Sequence, residues 1–371
     1  MYARIIQRKV LIIFLKSALG RKILINVHAI GENYCKNQLN DVAYVRLYLP
    51  LQLLADEKHI KLTTGFTYKG HEDSDIFIVR RTGFCDSDPN SAELLIRMIR
   101  SRNKKLIYEI DDNLLDNPGI SSFNKMVIRY FAKSADTIIV STPNLKRRME
   151  CFNNNIKIIP NYLDARLINT RRRLFEKNKT ITIGYMGTFT HQRDFQMIKF
   201  SLLRVLQKFR SKVSFEIIGA IDDIASIRSF PNTKIRERSE IKDYFTFWRW
   251  MNENCFWDIG IAPLKYNEFT CCKSDIKYLD YSALGIAGVY SCEPSYANTI
   301  KHRVTGLLVE NNSESWQSAL EELICDESLR NTIRVSSHND LWKNRILQDN
   351  KGRWLEIIKE TIEENKYCPV L

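Results

Sequence analysis

Two lysines, a serine and an aspartate stand at spacings that suit a phosphorylated sugar: Lys273, Ser274, Lys277 and Asp280, within Phe269 to Gly288 (FTCCKSDIKYLDYSALGIAG). A helix beginning near Ser274 puts Lys277, Asp280 and Leu284 on one stripe, with Lys273 just before it. Ile276, Leu279 and Ala283 form an adjoining apolar stripe that packs. Cations beside the free N–H groups of a helix start, with a serine able to cap it, make an anion site suited to phosphate or diphosphate. A carboxylate further along accepts hydrogen bonds from sugar hydroxyls. The plainer reading is a surface helix on which Lys277 and Asp280 form a weak pair.

Two other clusters carry possible chemistry. Gly187 and Thr188 follow an apolar run and sit in a turn before a helix, where backbone N–H groups can approach a pyrophosphate. His191 can bond a phosphate or a sugar and Arg193 can add charge, or both simply cap the helix that follows. In the first half, Asp111 and Asp112 close a strand, and Asp73-Ser-Asp75 and Asp86-Ser-Asp88 invite a Mg²⁺ reading. Lysines at the phosphates supply the charge without metal, so no metal or other cofactor is expected. Asp112 is then a cleft residue able to bind ligand hydroxyls. Arg46, Arg80 and Arg81 either meet a ligand phosphate or pair with Asp111.

These groups need strands to deliver them. Trp257 to Leu264 reads as a buried strand closing at Pro263, which makes the lysine cluster a strand-to-helix junction, where open α/β sheets place their ligands. Strands alternate with helices along the chain: Arg21 to His28, Ile60 to Phe66, Asp75 to Arg80, Lys105 to Ile110, Thr137 to Ser141 and Ile156 to Pro160 in the first half. The pattern restarts with Thr180 to Met186 and Val213 to Gly219. This predicts an α/β architecture of two doubly wound parallel sheets. At 371 residues the chain exceeds one ordinary core. The expected division is a basic leader over 1–22, a first domain over 23–170, a polar linker over 171–179, a second domain over 180–345, and a C-terminal helix and tail over 346–371 that packs back on the first domain.

Composition narrows the partners. The apolar fraction of 44% is globular, and the net charge of +13 asks for an anionic substrate or surface. Dispersed basic residues without a zinc-finger or RNA-binding motif disfavour nucleic acid. Nine cysteines without a CxxC pair fit a reducing cytosol rather than a disulfide framework. The leader carries Arg4, Arg8, Lys9, Lys16, Arg21 and Lys22 with no acid, and its apolar run Val10 to Leu15 is too short to span a bilayer. It reads as a basic amphipathic segment for an anionic membrane surface, or as a plain leader.

The motifs resemble those of the GT-B glycosyltransferases of the group 1, or family 4, type, in the branch that builds bacterial surface polysaccharide such as O-antigen or capsule. The matching residues are Ile183-Gly-Tyr-Met-Gly-Thr-Phe-Thr-His-Gln-Arg-Asp194, Trp257 to Leu264, Lys273-Ser-Asp-Ile-Lys-Tyr-Leu-Asp-Tyr-Ser-Ala-Leu-Gly285, Pro294-Ser-Tyr296, Thr305 to Val309 and Trp316. Tyr44-Val-Arg46, Arg80-Arg81 and Glu109 to Asp112 agree more loosely. The family's two glutamates, with seven residues between them, fall on Cys272 and Asp280.

The resemblance implies two Rossmann-like domains facing a central cleft and a retaining transfer from a nucleotide-sugar donor to a hydroxyl of a lipid-linked glycan acceptor. It implies Lys273, His191 and Asp112 as catalytic groups and Gly187, Thr188, Arg193, Gly219, Ser274, Lys277 and Asp280 as donor contacts. Arg46, Arg80 and Arg81 would meet the acceptor. The expected location is cytoplasmic, at the inner face of the cytoplasmic membrane. A GT-B sugar-nucleotide epimerase or a degenerate partner subunit are the alternatives.

Overall fold

The computed structural model describes residues 24–31, 33–34, 38–39, 41–65, 70–83, 89–169, 180–188, 191–219, 227–236 and 243–363. The leader over 1–22, the linker over 171–179, and Asp86 and Asp88 lie outside the described residues.

Apolar runs without polar alternation build two parallel sheets, as expected for strands covered on both faces. The first holds β1 (Ile25–Ile30), β4 (Ile60–Gly65), β5 (Ile76–Arg80), β6 (Lys105–Ile110), β7 (Thr137–Val140) and β8 (Ile156–Ile158), in the order β4-β1-β5-β6-β7-β8. A small antiparallel pair, β2 (Asn33–Tyr34) and β3 (Gln38–Leu39), lies apart from it. The second sheet holds β9 (Ile181–Gly187), β10 (Val213–Gly219), β11 (Thr233–Arg236), β12 (Ile259–Ala262), β13 (Ala287–Ser291) and β14 (Leu307–Val309), in the order β11-β10-β9-β12-β13-β14. Each order turns back at its first strand, β1 or β9. That reversal opens a crevice at the carboxyl ends of the strands, where both candidate walls stand.

Helices cover both sheets. In the first half they are α1 (Leu49–Asp56), α2 (Pro89–Ser101), α3 (Ser122–Ser134) and α4 (Pro143–Met149). A turn of π-helix, Tyr44–Tyr48, runs into α1 and buries Arg46. In the second half they are α5 (Gln192–Lys208), α6 (Tyr244–Asn254), α7 (Ile276–Ala283), α8 (Pro294–Ala297), α9 (Ser313–Cys325) and α10 (Glu327–Asn344).

The chain then recrosses. Leu163 N donates to Arg345 O at 2.9 Å and Leu347 N donates to Leu163 O at 2.9 Å, so the two passages between domains run side by side. Beyond them α11 (Leu347–Asn350) and α12 (Gly352–Glu363) return to the first domain. Trp354, Ile357 and Ile358 enter the same core as Val27, Ile78 and Ile107, and Thr361 Oγ1 lies 2.7 Å from Thr137 Oγ1. Among the described residues no helix is long and apolar enough to cross a membrane.

Candidate active site

The second domain supplies a cation and a carboxylate on α7. This helix starts at Ile276, with Asp275 as its N-cap, rather than at Ser274 as the sequence suggests. Two tertiary bonds decide the matter: Arg345 grips the Asp275 carboxylate at 2.7 and 2.8 Å, and Asn161 Nδ2 donates to Ser274 Oγ at 2.7 Å. Ser274 is therefore a loop residue facing the first domain. At the other end Gly285 takes φ +63°, and Ile286 N donates to Tyr281 O, a left-handed stop that glycine allows.

Lys277 is only 8% exposed, and neither its ammonium nor the Asp280 carboxylate makes a hydrogen bond or ion pair with the described residues. Burial, with Lys273 beside it, pulls the Lys277 pKa down to about 8. Burial pushes Asp280 up to about 7, against the pull of Lys277. A fold gains nothing by holding two such groups unpaired, so their cost asks for a ligand. Lys273 stands over the Phe269 ring at 4.6 Å, with its charge directed by that face.

The β9–α5 loop brings His191 opposite. Its Nδ1 lies 2.8 Å from Asp194 Oδ2, and the other Asp194 oxygen accepts from Lys265 N at 2.8 Å. Lys277 first, then burial and Lys273, hold the imidazole down to about 4. It is neutral at pH 7. A carboxylate only accepts, so Nδ1 carries the proton and Nε2 is an acceptor. That state suits a sugar hydroxyl and not a phosphate oxygen.

The first domain supplies a buried ionic floor. Arg80 bridges Glu109 Oε2 at 3.0 Å and Asp111 Oδ1 at 2.7 Å, while Arg46 Nε donates to Glu109 Oε1 at 2.9 Å. Arg81 Nε donates to Asp111 Oδ1 at 2.7 Å, and its NH2 donates to Asp111 Oδ2 at 3.1 Å and Asp112 Oδ2 at 3.4 Å. Burial works against the charge on Asp111, but Arg80 and Arg81 outweigh it and hold the carboxyl well below the usual range. Arg81 sits at φ +47°, an uncommon backbone state for arginine that aims its fork at this pair.

Two adjoining cavities join the walls. One, of about 210 Å³, is lined by Arg46, Arg81, Asp111, Asp112, Lys273 and Ser274, among others. The other, of about 180 Å³, is lined by Met186, Gly187, Thr188, Ile218, Phe247 and Asp280. His191, Ile276 and Lys277 belong to both.

The structure thus gathers Lys273, Ser274, Lys277, Asp280, His191, Gly187 and Thr188 with Arg46, Arg81 and Asp112. Arg193 is exposed on α5 and, like Gly219, stands outside both cavity walls. Gly219 takes φ +61°, which explains a glycine at the end of β10 without a ligand. Arg80 as an acceptor contact needs correction: it is 0% exposed, locked beneath the floor by two carboxylates, and lines neither of these cavities. Cys272 is buried among the first domain's core residues, with burial pushing its thiol up to about 12. Sequence reasoning missed Asn161, Arg345 and the orienting role of Asp194. Only Asp194, three residues past His191 in the first turn of a helix, left a readable signal.

No family model and no curated protein sequence matches this chain. Solved structures do. Anabaena HepE, solved with UDP and glucose, superposes with TM-score 0.65 at 12% identity over 90% of this chain and 100% of that one. Sucrose-phosphate synthase from Thermosynechococcus elongatus gives 0.66 at 11% identity over 91% and 100%. TarM gives 0.58 at 15% identity over 83% and 57%. The chain has the GT-B fold. In that architecture the crevice between the two sheets lies between the Lys277 wall and the Asp112 wall, and the two cavities occupy it.

Proposed function

We propose that this chain is a retaining glycosyltransferase that moves a sugar from a nucleotide donor to a hydroxyl of a lipid-linked glycan in bacterial surface polysaccharide synthesis. The observation that carries the reading is the buried Lys277 and half-buried Asp280 on one helix, neither paired with the described residues, opposite the neutral His191. HepE, solved with UDP and glucose, and a pneumococcal O-GlcNAc transferase, solved with UDP and GlcNAc, supply the class of ligand.

The cavities give the donor a direction. Met186, Ile218 and Phe247 make an apolar end for the base, and Asp280 accepts from ribose hydroxyls. Lys277 and the Gly187-Thr188 backbone meet the diphosphate. The sugar then passes His191 Nε2 into the larger cavity, where Lys273 and Ser274 face Asp112 and Arg81. As the bond from the anomeric carbon to the diphosphate oxygen breaks, charge grows on that oxygen, and fixed lysines in a partly dry cleft lower the barrier there. The acceptor oxygen forms the new bond to the same carbon. Its proton leaves on the departing diphosphate, a base the reaction itself generates. Asp112 and Arg81 hold the acceptor.

No metal or other cofactor is part of this reading, because the lysines and the helix supply the charge. The test is nucleotide release from a panel of nucleotide sugars by purified protein, with and without glycan acceptors. Release that Lys277→Ala abolishes supports the proposal. Absence of both turnover and donor binding across the panel would overturn it.

A further inference from the structure

We propose that the outer face of α2 and α3 docks on an anionic lipid surface. Helix α3 buries Val127, Ile128, Phe131 and Ala132 against the first sheet. Its opposite stripe leaves Phe123 62%, Met126 46% and Tyr130 39% exposed. These positions, three and then four residues apart, form one line along the helix. Arg129 and Lys133 are exposed beside them, Lys125 is half-buried, and the whole helix carries no acid. Among the described residues none of these three cations is in an ion pair. On α2, Leu94 is 55% exposed, and Arg100 clamps the two helices by bonding Ser134 O and Asp136.

A single exposed leucine or phenylalanine means little. Phe200, Tyr266, Val304 and Val335 are of that kind, on two different helices and two different loops. The α3 stripe differs because large apolar groups and unpaired cations share one face. That is the composition of a helix lying in a bilayer interface, with apolar side chains entering the acyl boundary, a tyrosine at headgroup level and cations on lipid phosphates.

Charge selects among the occupants. A second copy meeting this face through a two-fold would set Lys125, Arg129 and Lys133 against their own counterparts. The chain's own residues 1–22, with six basic residues and no acid, are repelled in the same way. A lipid surface offers both the anions and the apolar depth. Because α3 follows the loop bearing Asp112 and Asn113, the bilayer would flank the first-domain side of the cleft. Docking is measured without turnover, so it stands or falls apart from sugar transfer.

The test is co-sedimentation of the full-length protein with vesicles of phosphatidylglycerol and phosphatidylcholine, against phosphatidylcholine alone. Wild type is expected to bind only the former and to be released by salt. Arg129→Ala with Lys133→Ala should lower partitioning about tenfold or more, each interfacial cation contributing about fivefold. Phe123→Ala with Met126→Ala should weaken it comparably, and Phe200→Ala should not. All these side chains are exposed, so unchanged circular dichroism and Tm confirm folding. Equal binding by wild type and both double variants, or equal binding to neutral vesicles, overturns the proposal. So does a wild-type dimer that Phe123→Glu converts to monomer, which would assign the face to a second copy.

Discussion

Asn161 Nδ2 donates to Ser274 Oγ at 2.7 Å, tying the end of the first sheet to the loop that presents Lys273. The same side chain accepts from Arg46 NH1 at 3.1 Å, and its backbone carbonyl accepts from Arg345, which also holds Asp275. One amide thus links the buried ionic floor, the interdomain crossing and the candidate phosphate loop. Thr142 and Asn144 add bonds to the carbonyls of Cys272 and Cys271, and Asn113 bonds that of Glu268. The loop is held by the domain it faces.

Asn161→Ala should therefore loosen the loop without emptying the site. Donor KM is expected to rise about tenfold, with a smaller fall in kcat and a stability loss of about 1–3 kcal/mol. Asn161→Asp should recover part of the KM, because Ser274 can donate to the new carboxylate. Kinetics on the two variants decide this. An unchanged KM in the alanine variant would show that the contact has no part in donor binding.

The pH profile follows from α7. Asp280 is pushed up to about 7, so it is fully ionised, and the better ribose acceptor, only above that pH. Lys277 is pulled down to about 8, so its charge fades above that pH. The kcat/KM profile, which reports the free protein, should fall on both sides of a narrow maximum between these values. Asp280→Asn should remove the acid limb and leave the basic one. A profile flat from pH 6 to 9 would separate these two groups from donor capture.

The strands that carry the site were legible because buried parallel strands are continuous apolar runs: Lys105 to Ile110 and Val213 to Gly219 stand as the sequence predicts. Lys273, Lys277 and Asp280 were legible because the apolar stripe Ile276, Leu279 and Ala283 marks a helix, whose start near Ser274 stands two residues from the observed one. What the sequence hid is long-range. Whether Ser274 or Asp275 caps α7 is decided by Arg345, some 70 residues away in the chain. Whether Arg80 meets solvent or Glu109 depends on how β5 and β6 pair, and Arg80 lies opposite Glu109 in that register. Helix α10 runs to Asn344, with Leu341 of its last turn in the second domain's core, and delivers the chain to the interdomain crossing.

A buried lysine without a partner costs stability. The Lys277 pKa in the folded chain, about 8, lies below lysine's ordinary 10.5, so the cost is absent well above 10.5, grows as pH falls from 10.5 toward 8, and is fully present below that. Lys277→Met keeps the apolar stem and removes the charge. At pH 7 it should stabilise the ligand-free protein by on the order of 1–3 kcal/mol, a rise of several degrees in Tm, while abolishing donor binding. The gain should shrink toward pH 10. Thermal melts at both pH values, with nucleotide titration, measure the two effects together. A lower Tm at pH 7 would mean that the charge is paired in solution.

The ionic floor bears on metal dependence. A Mg²⁺ site in the first domain would have to draw on Asp111 and Asp112, yet both Asp111 oxygens already accept from Arg81, and Arg80 adds a third bond. Drawing Asp111 away would leave Arg80 buried with one partner fewer, and breaking a buried pair costs about 3–5 kcal/mol. Activity is therefore expected to survive EDTA unchanged. Asp111→Asn should act on the fold, lowering Tm by several degrees, and its residual turnover should not respond to added Mn²⁺ or Mg²⁺. Asp112→Asn, with its carboxylate at the cavity wall and only one long bond to Arg81, should leave Tm nearly unchanged and raise acceptor KM. Turnover lost in EDTA and restored by Mn²⁺ in wild type, with both variants insensitive to the metal, would instead make these two aspartates ligands. The arginines would then be a resting arrangement that the metal displaces.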